Sequence, residues 1–292
     1  MTVAYTRRQP KEIRFVQGLG VLAAACLTLQ AAAQPPTSGE STHFELDAPF
    51  GSSSADRRAL GTQLDEIFEV IVERVGVSLD QKVTVRFAPP NPSPCRPRGA
   101  TVLPRPGSNG MPVMIIFADE NTDSKQISAG VAHELGHVLE VVALNAESIA
   151  SVFLEGFATW AAGPYWLEWQ GAASFRSAVA SYIATETYLP LHENDGVLDT
   201  LSDEAASRLG EDCLSHRDIV YTEWGAFVEY LVEEHGRDRL HALFRAPPLV
   251  SDDRARPLRR PNFPAIYGMP LERLEAAWLE TIHEPDRQLE LE

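Results

Sequence analysis

The chain has 292 residues and a hydrophobic content of 44%, which suits one large domain or two small ones with a buried core. Its formal net charge is −16, from 41 acidic and 25 basic residues. This charge argues against nucleic acid and against an anionic membrane surface as partners.

The first 33 residues differ from the rest of the chain. An apolar run of 12 residues, 18–29, follows a basic segment that contains Arg7, Arg8, Lys11 and Arg14. Small residues at Ala31 and Ala33 then form a signal peptidase site before Gln34. This pattern predicts a signal peptide over 1–33 and export to the periplasm or the extracellular space. The apolar run is shorter than the roughly 20 residues that span a bilayer, so stable membrane insertion is not expected beyond this segment. An uncleaved amino-terminal anchor is the alternative.

Two cysteines remain once residues 1–33 are removed, and the formal charge of the remaining chain is −19. Cys95 lies in "NPSPCRPRG" and Cys213 in "GEDCLSHRD", both polar and turn-rich segments. In an exported chain such a pair is a candidate disulfide, and the lack of a CxxC argues against a thiolate zinc site. Residues 34–41 are predicted to be a disordered lead-in and 284–292 a flexible tail.

Residues 42–122 predict a small mixed sheet with one long helix. Alternating segments predict strands at 42–48, 82–88 and 112–118. Apolar residues at helical spacing predict a helix over 55–76 that ends at Gly76.

Residues 123–283 predict a mainly helical part. Helices are expected over 124–144, 145–162, 171–186, 219–236 and 270–282, with a short helix ending at Phe244. Residues 189–218 are polar with short helical pieces, and 246–263 form a loop rich in Pro and Arg. The expected fold class is therefore α+β, with one domain over 42–283.

The segment "AGVAHELGHVLEVV", 129–142, carries the candidate chemistry. Residues four apart share one face of a helix, so His133 and His137 can bind one zinc ion, and Glu134 can reach a metal-bound water. The alternative is two histidines on an ordinary core helix. It is less favoured because an unpaired carboxylate inside such an apolar helix is costly. Glycine at position 136 costs about 1 kcal/mol of helix stability relative to alanine. Its presence therefore indicates the close approach of another group.

A catalytic zinc site needs a third protein ligand. Glu155 in "LEGFATW", 18 residues after His137, is the best candidate because the next helix can return antiparallel and bring its carboxylate to the metal. Ala143 stands where the metzincin pattern requires a third histidine and excludes that class. Glu140 and Glu147 are rival ligands, and Glu140 is rotated by about 60° from His137 on the same helix.

"HELGH" followed 18 residues later by "LEGFATW" resembles the gluzincin zinc metallopeptidases, most closely the peptidase MA-like superfamily of exported bacterial proteins. The segments "YTEWGAFVEYLVEEHGRDRLHALF" and "IYGMPLERLEAAWLETI" resemble later helices of that group. The strand at 112–118 matches the edge strand along which such enzymes bind an extended substrate. The resemblance covers about residues 42–283. It implies a zincin-like fold, with the active-site helix between a sheet lobe (42–122) and a helical lobe (123–283), and hydrolysis of peptide or protein substrates.

The resemblance implies a role for each matching residue. His133, His137 and Glu155 would bind one Zn²⁺ per chain, and Glu134 would be the general base. Tyr221 matches a tyrosine that steadies the oxyanion, although its apolar neighbours in sequence also fit a core residue.

Other positions depart from the family pattern or compete with these roles. Thr159 stands where thermolysin-type enzymes carry an acid behind the ligand glutamate, and no GAMEN-like motif precedes the zinc helix. His192 and His216 are weaker candidates for the role of Tyr221. A zincin-like binding module without catalysis at the cell surface is the alternative function, but it has no need of Glu134. A closed structural zinc site would need a fourth protein ligand, and none stands at a suitable spacing.

Overall fold

The protein is described by a computed structural model over residues 41–47, 54–90, 100–103, 111–119, 122–146, 152–194, 212–250 and 259–283. These residues belong to a single unit, 36–292. The expected combination of a small amino-terminal sheet, one long helix and a mainly helical remainder is confirmed.

The sheet has four strands in the order β1-β2-β4-β3. They are β1 (Phe44–Asp47), β2 (Val83–Ala88), β3 (Ala100–Leu103) and β4 (Val113–Phe117). β1 and β4 run parallel to β2, whereas β3 runs antiparallel to β4. Alternate residues of β2 are buried because successive side chains of a strand point to opposite faces.

The position of β4 corrects one expectation. The strand at 112–118 is expected at the sheet edge, yet β4 is hydrogen-bonded on both sides, by β2 and by β3. Among the described strands the two edges of the sheet are β1 and β3, and β3 is absent from the predicted strands. It is only four residues long, too short for a clear alternating pattern.

α1 (Ser54–Val75) agrees with the helix predicted over 55–76 and packs against β1 and against the helix that begins at Ser124. It buries one apolar stripe, formed by Leu64, Ile67, Phe68, Ile71 and Val75. Gly76 follows the helix with a φ of +77°, a left-handed conformation that favours glycine. Arg74 fixes α1 to the helical part, because its guanidinium donates to the Trp160 carbonyl at 2.7 Å and to Glu229 at 2.9 Å.

Helices dominate the rest of the chain. They are α2 (Ser124–Val142), α3 (Val152–Ala162), α4 (Pro164–Gln170), α5 (Phe175–Ala184), α6 (Leu191–Asn194), α7 (Asp212–His235), α8 (Arg237–Arg245), α9 (Phe263–Tyr267) and α10 (Leu271–His283). β5 (Leu249–Val250) and β6 (Arg259–Arg260) pair as a short antiparallel ribbon. None of the helices in the described ranges is long and apolar enough to cross a membrane.

Most predicted helices are present, with shifted ends. α7 begins at Asp212 rather than at 219, and α4 and α9 are short helices missing from the prediction. α4 begins directly after Gly163 with Pro164 in its first turn, where the missing N–H of proline costs nothing. Of the helix predicted over 145–162, residues 147–151 lie outside the described residues. The signal segment, residues 34–40 of the expected lead-in and the tail also lie outside them. Ser41, the last residue of that lead-in, is instead buried and donates a hydrogen bond to Asp65 at 2.6 Å.

α3 lies at very short range between α2 and α7. A Cβ atom at Gly136 of α2 would lie 2.8 Å from the Cα of Ala158 in α3. A Cβ atom at Gly156 of α3 would overlap Trp224 of α7. Glycine at these two positions lets three helix backbones approach one another, which agrees with the close approach expected at Gly136.

Substitution of Gly136 by Ala is expected to destabilise the fold although alanine is the better helix former. The added methyl group meets the backbone of α3, and such overpacking costs about 1–3 kcal/mol, or roughly 2–10 °C in Tm. Thermal unfolding followed by circular dichroism measures the effect. Gly61→Ala in α1 is the matched control, because its new Cβ would lie 3.4 Å from Ser41 in ordinary contact. An equal Tm for both variants would contradict the close helix approach.

Candidate metal centre

α2 carries two of the candidate ligands on one face. Asp123 caps the helix by accepting a hydrogen bond from the Lys125 N–H at 3.0 Å. His133 and His137, one turn apart, place their Nε2 atoms 3.2 Å from each other. His133 and Glu134 are buried, whereas the His137 side chain is 18% exposed. The helix therefore presents two imidazole nitrogens to the same point.

α3 brings the third candidate ligand to that point. Glu155 places Oε2 at 3.1 Å from Nε2 of His133 and at 3.3 Å from Nε2 of His137. Its side chain is 32% exposed, more than either histidine. One carboxylate oxygen thus lies against both imidazole nitrogens, and one side of the group is open to solvent.

The three atoms fit a zinc ion. Ligand atoms about 2.0–2.1 Å from a tetrahedral zinc lie about 3.3 Å from one another, close to the 3.1–3.3 Å measured here. Two histidines and one glutamate are a donor set of catalytic zinc sites, in which the fourth position stays open. Among the described residues these three form the one group of His, Cys, Asp or Glu side chains able to hold a metal.

Outer partners orient both imidazoles. Glu140, only 2% exposed, places a carboxylate oxygen 2.9 Å from Nδ1 of His137. The Thr159 hydroxyl lies 3.3 Å from Nδ1 of His133. Such partners fix the ring orientation and tautomer of a metal-binding histidine. Glu140, a rival ligand in the sequence, is thus positioned at the outer nitrogen, and its i,i+3 spacing from His137 could have shown this.

The four ionisable groups of this centre have shifted pKa values. Burial lowers the pKa of His133 to about 4 and raises that of Glu134 to about 7. Burial opposes the charge of His137, but Glu140 and Glu155 hold its pKa well above the usual range. Burial also opposes the charge of Glu155, yet His137 and hydrogen bonds from both imidazoles keep its pKa well below the usual range. A metal bound here would therefore displace a proton from His137.

Aromatic rings close one side of the centre. The Tyr221 ring lies parallel to the His133 ring at 5.5 Å, and the Trp166 ring lies 5.6 Å from His133. The Trp166 indole N–H donates to the Thr222 hydroxyl at 3.1 Å. Burial, followed by the charge of Glu155, raises the pKa of Tyr221 well above its ordinary value. Tyr221 therefore borders the centre, and so does Trp166, which was not predicted as a site residue.

Other candidates lie elsewhere. His192 Nδ1 lies 2.8 Å from Glu275, whose carboxylate also accepts hydrogen bonds from the Tyr188 hydroxyl and from the Leu191 N–H. His192 is thus held in a different cluster. The Cys95–Cys213 disulfide, His216 and Glu147 fall outside the residues or side chains that the structure describes.

Comparison of the chain with protein-family models, with curated proteins and with solved structures gives no match.

Proposed function

We propose that the protein is an exported zinc-dependent metallopeptidase with a zincin-like arrangement. The observation that carries the proposal is the triangle of His133, His137 and Glu155 atoms beside the buried Glu134. A solely structural site would need a fourth ligand, and a pure binding module would not need a buried carboxylate next to the metal. Export rests on the predicted signal peptide over 1–33.

The chain's own residues supply the proton transfers of peptide hydrolysis. A zinc ion held by His133, His137 and Glu155 would lower the pKa of a bound water and polarise the substrate carbonyl. Glu134, with a pKa near 7, accepts the proton of the attacking water and then delivers it to the leaving amine. The Tyr221 hydroxyl, kept protonated by its raised pKa, donates a hydrogen bond to the developing oxyanion.

The sheet supports a path for an extended substrate. Within the described residues β3 pairs on one side only, with β4, and it packs against α2. The free edge of a strand offers main-chain donors and acceptors to another extended chain. We therefore propose that the peptide binds along β3 (Ala100–Leu103), in the role expected from the sequence for β4.

The direct test uses the wild-type protein. We expect about one zinc per chain by elemental analysis and hydrolysis of a mixed peptide substrate. Removal of the metal by a chelator should abolish hydrolysis, and added zinc should restore it, whereas added magnesium should not, because magnesium disfavours imidazole ligands. A purified chain without zinc would contradict the metal site. Zinc without hydrolysis would instead favour the zincin-like binding module.

A further inference from the structure

Arg217 is a charged residue beside the metal centre that the proposed mechanism does not use. It lies in α7 one turn before Tyr221, and its guanidinium carbon is 5.4 Å from the centroid of the Tyr221 ring. The same ring stacks on His133 at 5.5 Å. Tyr221 therefore contacts both the guanidinium and a candidate metal ligand.

The charge of Arg217 acts on the groups of the centre. It favours the ionised form of Glu134 and disfavours protonation of His133. The ring contacts show that a single aromatic side chain, Tyr221, connects the guanidinium to His133. An anionic substrate group that enters beside Glu134 needs a nearby cation, and Arg217 supplies one.

The guanidinium has unused hydrogen-bonding capacity. Its Nε atom is buried and has no hydrogen-bond partner in the described part of the chain. Among the described side chains no carboxylate lies within ion-pair distance of Arg217. Burial raises the pKa of the neighbouring Asp218, whereas the charge of Arg217 and a hydrogen bond from Gln170 lower it. A buried donor without an acceptor is costly, so its presence close to the candidate metal centre indicates a partner that arrives with a ligand.

We infer that Arg217 binds a carboxylate of the peptide substrate through its Nε and a neighbouring Nη donor. A guanidinium presents these donors in a fixed fork that matches the two oxygens of a carboxylate. The inference rests on the proposed peptidase function and narrows its substrates to peptides with a carboxylate near the scissile bond. The carboxylate comes either from the carboxy-terminus of the peptide or from an Asp or Glu side chain.

Binding to a zinc-loaded full chain with Glu134→Gln tests the inference without cleavage. The probes are N-acetylated alanine hexapeptides, measured by isothermal titration calorimetry: one with a free terminal carboxylate, one with a terminal amide, and one amide with an internal Glu. One of the two carboxylate forms should bind about 10- to 100-fold more tightly than the plain amide. The form that binds more tightly identifies the source of the carboxylate.

Arg217→Gln in this background should reduce the preference for a carboxylate to about one. Arg245→Gln, which removes an exposed arginine of α8, should leave the preference unchanged. Arg217→Lys keeps the charge but loses the paired donors of the guanidinium, so it should give an intermediate preference. This variant tests the inference if Arg217→Gln does not fold. No preference in the background protein, or a full preference in either Arg217 variant, would overturn the inference.

Hydrolysis by the wild type separates this inference from the proposed function. A protein that prefers carboxylate peptides through Arg217 and cleaves none contradicts the peptidase proposal but supports the carboxylate subsite. A protein that cleaves acid and amide peptides equally well, with unchanged rates in Arg217→Gln, supports the peptidase and overturns the subsite.

Discussion

Replacement of Glu134 by Gln is expected to reduce kcat by about 10²- to 10⁴-fold, because the side chain can no longer accept the proton of the attacking water. Glutamine has nearly the same shape and is neutral, so it fits a site where burial already raises the pKa of Glu134 to about 7. Zinc content should stay at about one per chain, because Glu134 is not part of the ligand triangle. Steady-state hydrolysis of a peptide together with elemental analysis measures both quantities.

Glu168→Gln is the matched control for this variant. Glu168 is a helical glutamate of α4 that pairs with Lys125 at the surface at 3.2 Å. The control should retain wild-type kcat and zinc. A Glu134→Gln protein with wild-type kcat would remove the general base from the mechanism, and one without zinc would mean that Glu134 supports the metal rather than the chemistry.

Replacement of Glu155 by Ala is expected to have its main effect on the metal. The substitution removes the oxygen that lies 3.1 and 3.3 Å from the two imidazole nitrogens and leaves two ligands from a single helix. Outer partners of a metal ligand contribute about 10- to 100-fold to metal affinity, and the loss of zinc affinity in Glu155→Ala should be larger. Hydrolysis should fall with it, and raised zinc concentrations should restore only part of the activity. Competition with a chromophoric chelator measures the affinity.

Two further variants provide a comparison for the loss of zinc affinity expected in Glu155→Ala. Thr159→Ala removes the hydroxyl 3.3 Å from His133 and should weaken zinc binding by no more than about 10- to 100-fold. Glu168→Ala changes a surface carboxylate and should leave the affinity unchanged. Equal losses in Glu155→Ala and Thr159→Ala would show that Glu155 acts as an outer partner and that another group is the third ligand.

Local features of the chain could be predicted well. The apolar stripe of α1, the alternation of β2 and the spacing of His133 and His137 all follow from the periods of helix and strand, which depend on near neighbours alone. Errors concentrate where the pattern is short or where pairing is long-range. β3 has four residues and lies outside β4, which is therefore not an edge strand. α4 and α9 are helices of only seven and five residues.

The residues of the candidate metal centre also differ in whether the sequence could predict them. Glu155 could be proposed from sequence because one helix and one turn suffice to bring it back toward α2. The outer role of Glu140 was within reach of the same local reasoning, since it lies one turn after His137. Trp166 and Arg217 carry no such signal, because the way α4 and α7 pack around the centre depends on tertiary contacts and not on residue spacing.

The chemistry that α2 can support follows from its residue spacing, because residues four apart on a helix must share a face whatever the rest of the chain does. The residues that contact this face depend on how the helices pack together. The glycines at 136 and 156 let α3 pack against both α2 and α7. This packing places Oε2 of Glu155 at 3.1 Å from Nε2 of His133, and the Tyr221 ring at 5.5 Å from the His133 ring. Such distances depend on how distant helices fit together, and no local pattern of residues encodes that fit.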